Sequence, residues 1–362
     1  MQARPALADL KPYEPGKPAA AVRRELGLDR VVKLASNEGP YGPFPAALAA
    51  LTAALEDLNR YPEGGVELVE RLAGRYCVEP GRIALGNGAD SIIGLLSAAY
   101  LDPGDEVVMG WPSFPSYRLA AVRMGATPVP VALAPDGAND LPAIAAAIGA
   151  RTRIAYVCNP NNPTGGMVDR DALERFLELV PARVLVVVDE AYNEYVTDPD
   201  YPDAIAEHVR RRPNVCVLRT FSKIHGLAGL RIGYLTGPAT VVADLAKVRN
   251  AFDVSEPAHV AALASLDDPD ELARRRDENA RLRPPLAAAI GELGRAVRPA
   301  VANFVCFHAG DAAGLAARLL AEGVVVRPLA AFGAPEWIRV TVGTADQNSE
   351  FVAALERALR PA

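Results

Sequence analysis

Between about residue 45 and residue 250, short apolar runs of strand length alternate with alanine-rich amphipathic segments of helix length. The runs cover residues 82–85, 106–110, 127–131, 154–158, 184–188, 215–218 and 232–236. A run such as Val184-Leu185-Val186-Val187-Val188 shows no polar alternation, so both faces of its strand must be covered. Strands of this kind separated by helices predict an α/β architecture, a mostly parallel sheet flanked by helices. The same runs are far too short to span a membrane.

The pattern changes after Val254. A long charged helix over 269–293 is followed by a strand at 302–307, a helix at 311–322, an apolar run ending in Arg327, a strand at 337–342 and a helix at 346–359. That order predicts a small α+β domain. Residues 1–30 read as a proline-rich arm with a short helix near 20–26, packing on the small domain. The segment from Leu34 reads as a strand leading into a loop. The expected division is therefore 1–30 (arm), 31–253 (large domain) and 254–362 (small domain). A chain of 362 residues has ample core for two domains.

The formal charge is −6 and the basic residues are scattered, which argues against nucleic acid as a partner. Small anionic ligands need only a local pair of arginines. Cys77, Cys158, Cys216 and Cys306 form no CxxC pair, and a reducing cytoplasm is expected. His208, His225, His259 and His308 lack metal-ligand spacing, so no metal is expected.

Several segments carry chemistry. Thr220-Phe221-Ser222-Lys223-Ile224-His225-Gly226 follows a strand-like run and sets one lysine among small residues, with Arg231 eight positions later. A lysine that condenses with an aldehyde needs such a setting, because its amine must be neutral, desolvated and closely approached. Asp189 sits at the carboxyl end of a buried strand, where open α/β sheets place their ligands. Tyr192 is expected one helical turn further, as a hydroxyl donor or a packing tyrosine. Gly86-Asn87-Gly88-Ala89-Asp90-Ser91 joins a strand to an apolar helix, and the amides of Ala89 and Asp90 at that helix start suit a phosphate. Asn159-Pro160-Asn161-Asn162-Pro163-Thr164-Gly165 forces a turn at another strand end.

Taken in this order, the segments resemble the pyridoxal-phosphate (PLP) aminotransferases of the aspartate-aminotransferase superfamily, across almost the whole chain. The resemblance implies the type I fold of PLP-dependent transferases and a homodimer with active sites at the subunit interface. It implies Lys223 as the cofactor's anchoring amine and Asp189 as the carboxylate against the pyridine nitrogen. Tyr192 and Asn162 would donate to the phenolic oxygen, and Phe114 would stack on the ring. Ser222, Arg231, Ala89 and Asp90 would hold the phosphate, with Tyr61 supplied to the partner subunit's cofactor. Many relatives carry tyrosine where Phe114 stands.

Three further features resemble the histidinol-phosphate aminotransferases: Pro12-Tyr13-Glu14-Pro15-Gly16, Ser36-Asn37-Glu38 with Pro40-Tyr41-Gly42-Pro43, and the pairing of Val326-Arg327 with Ile338-Arg339-Val340-Thr341. The resemblance implies histidinol phosphate and 2-oxoglutarate as substrates. Arg339 would be the main anion clamp and Arg327 a second cation, with Tyr13 and Asn37 also at the substrate. A near-dianionic phosphate rewards two donors where a carboxylate is satisfied by one arginine. Aromatic amino-acid aminotransferases share most of these motifs, threonine-phosphate decarboxylase is built on a similar chain, and a PLP-binding module without turnover stands as a reading from another class.

Overall fold

The computed structural model describes residues 4–7, 10 and 18–360. Its strands, in chain order, are β1 (Val32–Lys33), β2 (Ile83–Gly86), β3 (Glu106–Trp111), β4 (Thr127–Ala132), β5 (Thr152–Cys158), β6 (Leu185–Asp189), β7 (Val215–Thr220) and β8 (Gly233–Thr236). The remainder are β9 (Phe304–His308), β10 (Val324–Val325), β11 (Arg327–Leu329) and β12 (Ala334–Thr341).

Seven strands form the main sheet in the order β2-β8-β7-β6-β5-β3-β4. All neighbours are parallel except at β8, which runs antiparallel to both β2 and β7. The period of two sorts side chains cleanly. Val186, Val188, Val215 and Val217 enter one apolar cluster, while Leu185, Val187, Cys216 and Leu218 enter the other. Each fully buried side chain of this size contributes about 1.5–3 kcal/mol. Both faces are covered, and that is why these strands lack polar alternation. The same parity puts Asp189 on the second face, with Tyr117, Tyr156 and Cys158, and puts Glu190 and Arg219 on the first.

A second unit is built on the antiparallel sheet β11-β12-β9 and a two-stranded parallel pair, β1 with β10. Leu282, Leu286, Ile290, Phe307, Leu319, Val340 and Phe351 lie in its core. The helix Pro269–Glu292 contributes that core's first three residues despite Pro284 and Pro285 inside it.

Two expected boundaries are corrected. The strand near Leu34 begins at Val32 and pairs with β10, so 32–34, expected in the large domain, packs with the C-terminal unit. The helix Glu256–Leu266, expected in the small domain, buries Ala258, Ala261 and Ala262 in the large sheet's cluster. Its small side chains let it lie close to the helix Pro45–Ala54, whose Ala47 is fully buried. The short helix of the arm, Ala19–Leu26, buries Val22 against Ala35 and Val325. No helix among the described residues is long and apolar enough to cross a membrane.

Candidate active site

The carboxyl ends of β2, β3, β5, β6 and β7 share one edge of the main sheet, and the singled-out segments leave from that edge. Asp189 is the last residue of β6 and is 4% exposed. Its Oδ2 accepts the Tyr117 hydroxyl at 2.5 Å, and its Oδ1 accepts the Ala191 N–H at 3.1 Å. Burial raises its pKa, against the pull of the Tyr117 hydrogen bond, the Ala191 amide and the Lys223 charge. Tyr192 is not one helical turn beyond it, as expected. Residues 190–192 form a tight turn, held by the Asp189–Ala191 contact, before the 3₁₀ turn Asn193–Tyr195.

Lys223 lies in the loop after β7, partly buried. Its Nζ donates to the Ser36 carbonyl at 3.5 Å and sits 5.4 Å from the Tyr192 ring centre. Burial first, then the positive charges of Arg339 and Arg231, push its pKa down to about 8, while Glu38 and Asp189 oppose the shift. An amine tuned this way is a nucleophile and a proton carrier near neutral pH.

Asn162 accepts a hydrogen bond from Arg339 Nη1 on its amide oxygen. The donor end of that amide is therefore the end that can serve a ring oxygen. The Tyr192 hydroxyl accepts from Asn37 Nδ2 at 3.0 Å, which leaves its proton to be given elsewhere. Asn37 adopts φ +55° and is gripped on all sides. Its N–H donates to Thr341 Oγ1 at 3.0 Å, and its carbonyl accepts from Asn303 Nδ2 at 3.1 Å.

The helix Ala89–Tyr100 starts at Gly88, with φ +77°. A Cβ on Gly88 would run into Arg231 Nη2, and one on Gly233 would lie 2.7 Å from the Ala89 nitrogen. The antiparallel pairing of Gly86 with Gly233 brings these segments together. Arg231 is itself at φ +56°, with Nη1 donating to the Ala228 carbonyl. Ser222 is buried, its N–H bound to Thr220 Oγ1. Phe114 precedes the helix Pro115–Met124 and meets the Tyr117 ring edge-on at 5.7 Å.

Arg327 and Arg339 are cross-strand partners on β11 and β12, both buried. Arg339 Nη2 donates to the Ala35 carbonyl at 2.9 Å, and its guanidinium lies over Phe304 and Phe332. Tyr61 stands apart, 77% exposed and stacked on Phe252 at 4.4 Å. Tyr13 lies outside the described residues.

These residues fit pyridoxal phosphate on grounds internal to the chain. A glycine cradle beside an arginine and a helix start suits a phosphate. A lysine of lowered pKa and a buried carboxylate suit an aldehyde and a ring nitrogen. Among the described residues, no cluster of three or more His, Cys, Asp or Glu could hold a metal ion.

The sequence reading missed Tyr117, Asn303 and Thr341. Tyr117 carries one signal, its place three residues after Phe114 at the start of a helix. It also missed the buried pair on the opposite face. There Glu190 Oε2 accepts from Arg219 Nε and Nη2 at 2.9 and 2.7 Å.

The family model for aminotransferase class I and II matches residues 29–355. The histidinol-phosphate aminotransferase of Moorella thermoacetica is 44% identical over 358 residues, covering 98% of this chain and 92% of its own. That of Symbiobacterium thermophilum is 46% identical over 358 residues, covering 98% of each. Histidinol-phosphate aminotransferase from Sinorhizobium meliloti, solved in complex with pyridoxal-5'-phosphate, has a TM-score of 0.88 at 28% identity, covering 99% of this chain and 97% of that one.

Proposed function

The chain belongs to the class I and II aminotransferases, a PLP-dependent family of the type I fold, and we propose that it moves the amino group of histidinol phosphate to 2-oxoglutarate. The products are imidazole-acetol phosphate and glutamate, and the step belongs to histidine biosynthesis. One observation carries the choice of donor: two buried arginines stand opposite each other on β11 and β12, one of them bonded to Asn162. Two cations side by side suit a phosphate monoester, and either alone suits a carboxylate. The names of the relatives support the same donor.

When bound, pyridoxal 5'-phosphate supplies an aldehyde that joins the amino group and a protonated ring that draws electrons from the substrate's α-carbon. In this reading Lys223 Nζ would hold that aldehyde and, once released, would carry the proton from the substrate's α-carbon to the former aldehyde carbon, across the linking nitrogen. Asp189 keeps the ring nitrogen protonated. Tyr192 and Asn162 donate to the ring oxygen, Asn37 orients Tyr192, and Phe114 covers the ring. Ser222, Arg231 and the amides of Ala89 and Asp90 hold the phosphate, while Arg339 and Arg327 hold the substrate's anion.

The working form in this reading is a cytoplasmic homodimer. Leu48, Leu55, Leu58, Tyr61 and Phe252 form exposed apolar surface, which suits contact with a second copy. The cysteines are free, which suits a reducing compartment. The test is a half-reaction followed by cofactor absorbance, with histidinol phosphate, phenylalanine and tyrosine offered separately. Fastest conversion to the amine form of the cofactor by histidinol phosphate is expected. Faster conversion by phenylalanine would overturn the choice of donor.

A further inference from the structure

We propose that Tyr117 is a positioning residue for the cofactor's ring nitrogen, acting by holding the Asp189 carboxylate charged and in one orientation. The inference rests on the reading of Asp189 given above.

The Tyr117 hydroxyl lies 2.5 Å from Asp189 Oδ2, the length of a hydrogen bond from a neutral O–H to an ionised oxygen. Tyr117 is 1% exposed, and its ring is clamped. One face stacks on Tyr156 at 4.3 Å with 13° between planes, and Phe114 meets it edge-on. The hydroxyl therefore has a fixed direction. The Ala191 N–H donates to the other oxygen at 3.1 Å, so among the described residues each carboxylate oxygen has one hydrogen-bond donor. A carboxylate offers about four acceptor positions, so room remains for one ring N–H.

Burial of both groups gives the arrangement its sense. The phenol is pushed well above its ordinary range, so it stays protonated and can only donate to Asp189. Burial favours the neutral acid at Asp189, and the Tyr117 bond is the largest influence against it. A neutral Asp189 would no longer keep a proton on the ring nitrogen. Phe114 and Tyr117 lie three residues apart at the start of one helix, so a single turn supplies both the ring cover and the carboxylate's partner.

The test is Tyr117→Phe, which keeps the stacked ring and removes the hydroxyl. Apoprotein is titrated with pyridoxal phosphate and with its analogue in which carbon replaces the ring nitrogen. The variant should bind pyridoxal phosphate roughly tenfold or more weakly, as loss of a hydrogen bond to a charged group implies. Its affinity for the analogue should stay within about twofold of wild type. The pH titration of bound-cofactor absorbance should also shift in the variant. Equal weakening for both ligands would mean that Tyr117 only shapes the pocket, and no weakening for either would mean that it has no role; each overturns the inference. Wild-type protein that binds neither ligand would instead bring down the cofactor reading, and this inference with it.

Discussion

Arg327 and Arg339 face each other across β11 and β12, and each guanidinium lies 5.5 Å from the ring centre of Phe332. Their placement predicts unequal effects. Arg339→Ala, which also strips Asn162 and the Ala35 carbonyl of a donor, should lower kcat/KM for both substrates by about a hundredfold. Arg327→Ala should lower kcat/KM for the phosphate-bearing donor by about tenfold and spare 2-oxoglutarate. Steady-state kinetics with each substrate varied in turn checks this. Equal losses on both substrates in the Arg327 variant would contradict the division of labour.

Lys223 predicts a pH-dependent stability. Its pKa falls from 10.5 to about 8 in the folded chain. Between those values the unfolded chain holds a proton that the folded one has lost, so stability rises with pH across that window. The penalty for the buried ammonium is present in full below pH 8. In the apoprotein, Lys223→Met should raise the unfolding free energy at pH 7 by on the order of 1–3 kcal/mol. The advantage should fade as the pH approaches 10.5. Urea denaturation at the two ends of that range gives the answer, and identical wild-type and variant curves at pH 7 would count against the buried amine.

Gly88→Ala should weaken the hold on the cofactor's phosphate. The new Cβ would sit at φ +77° and displace the Arg231 guanidinium. Backbone strain of about 1–3 kcal/mol and a moved cation together predict at least a tenfold loss of pyridoxal-phosphate affinity. Fluorescence titration of the apoprotein measures it, with far-UV circular dichroism expected to match wild type.

The Glu190–Arg219 pair should matter for folding. Arg219 also donates to Asp203 and Tyr76, and Glu190 is fully buried, its pKa already raised to about 7. Arg219→Met should destabilise the protein by about 3–5 kcal/mol at neutral pH, because a buried carboxylate loses its partner. Adding Glu190→Met should recover most of that loss. A double variant no more stable than the single one would show that the charge was not the cause.

The main sheet was legible because strands covered on both faces must be apolar throughout. The placement of Lys223, Asp189, Gly86 and Gly88 at or just after strand ends was legible because each follows an apolar run. Tyr117 was not, since a tyrosine on an apolar helix reads as core until the sheet's parity turns Asp189 toward it. Asn303 and Thr341 reach Asn37 across separations of 266 and 304 residues, which no local pattern encodes. The boundary near 254 was misplaced because an alanine-rich helix looks alike whichever core it joins. Its packing against the Pro45–Ala54 and Val66–Tyr76 helices assigns it to the large one.

Asp189, Asn162, Lys223 and the Gly88 cradle all leave the edge of one sheet, whereas Arg327 and Arg339 ride on a separate hairpin. The hairpin still touches that edge, for Arg339 bonds Asn162 and its charge helps lower the Lys223 pKa. A descendant that rewrote the eleven positions between Arg327 and Arg339 could change its diet, provided that it kept the Arg339 tie to Asn162.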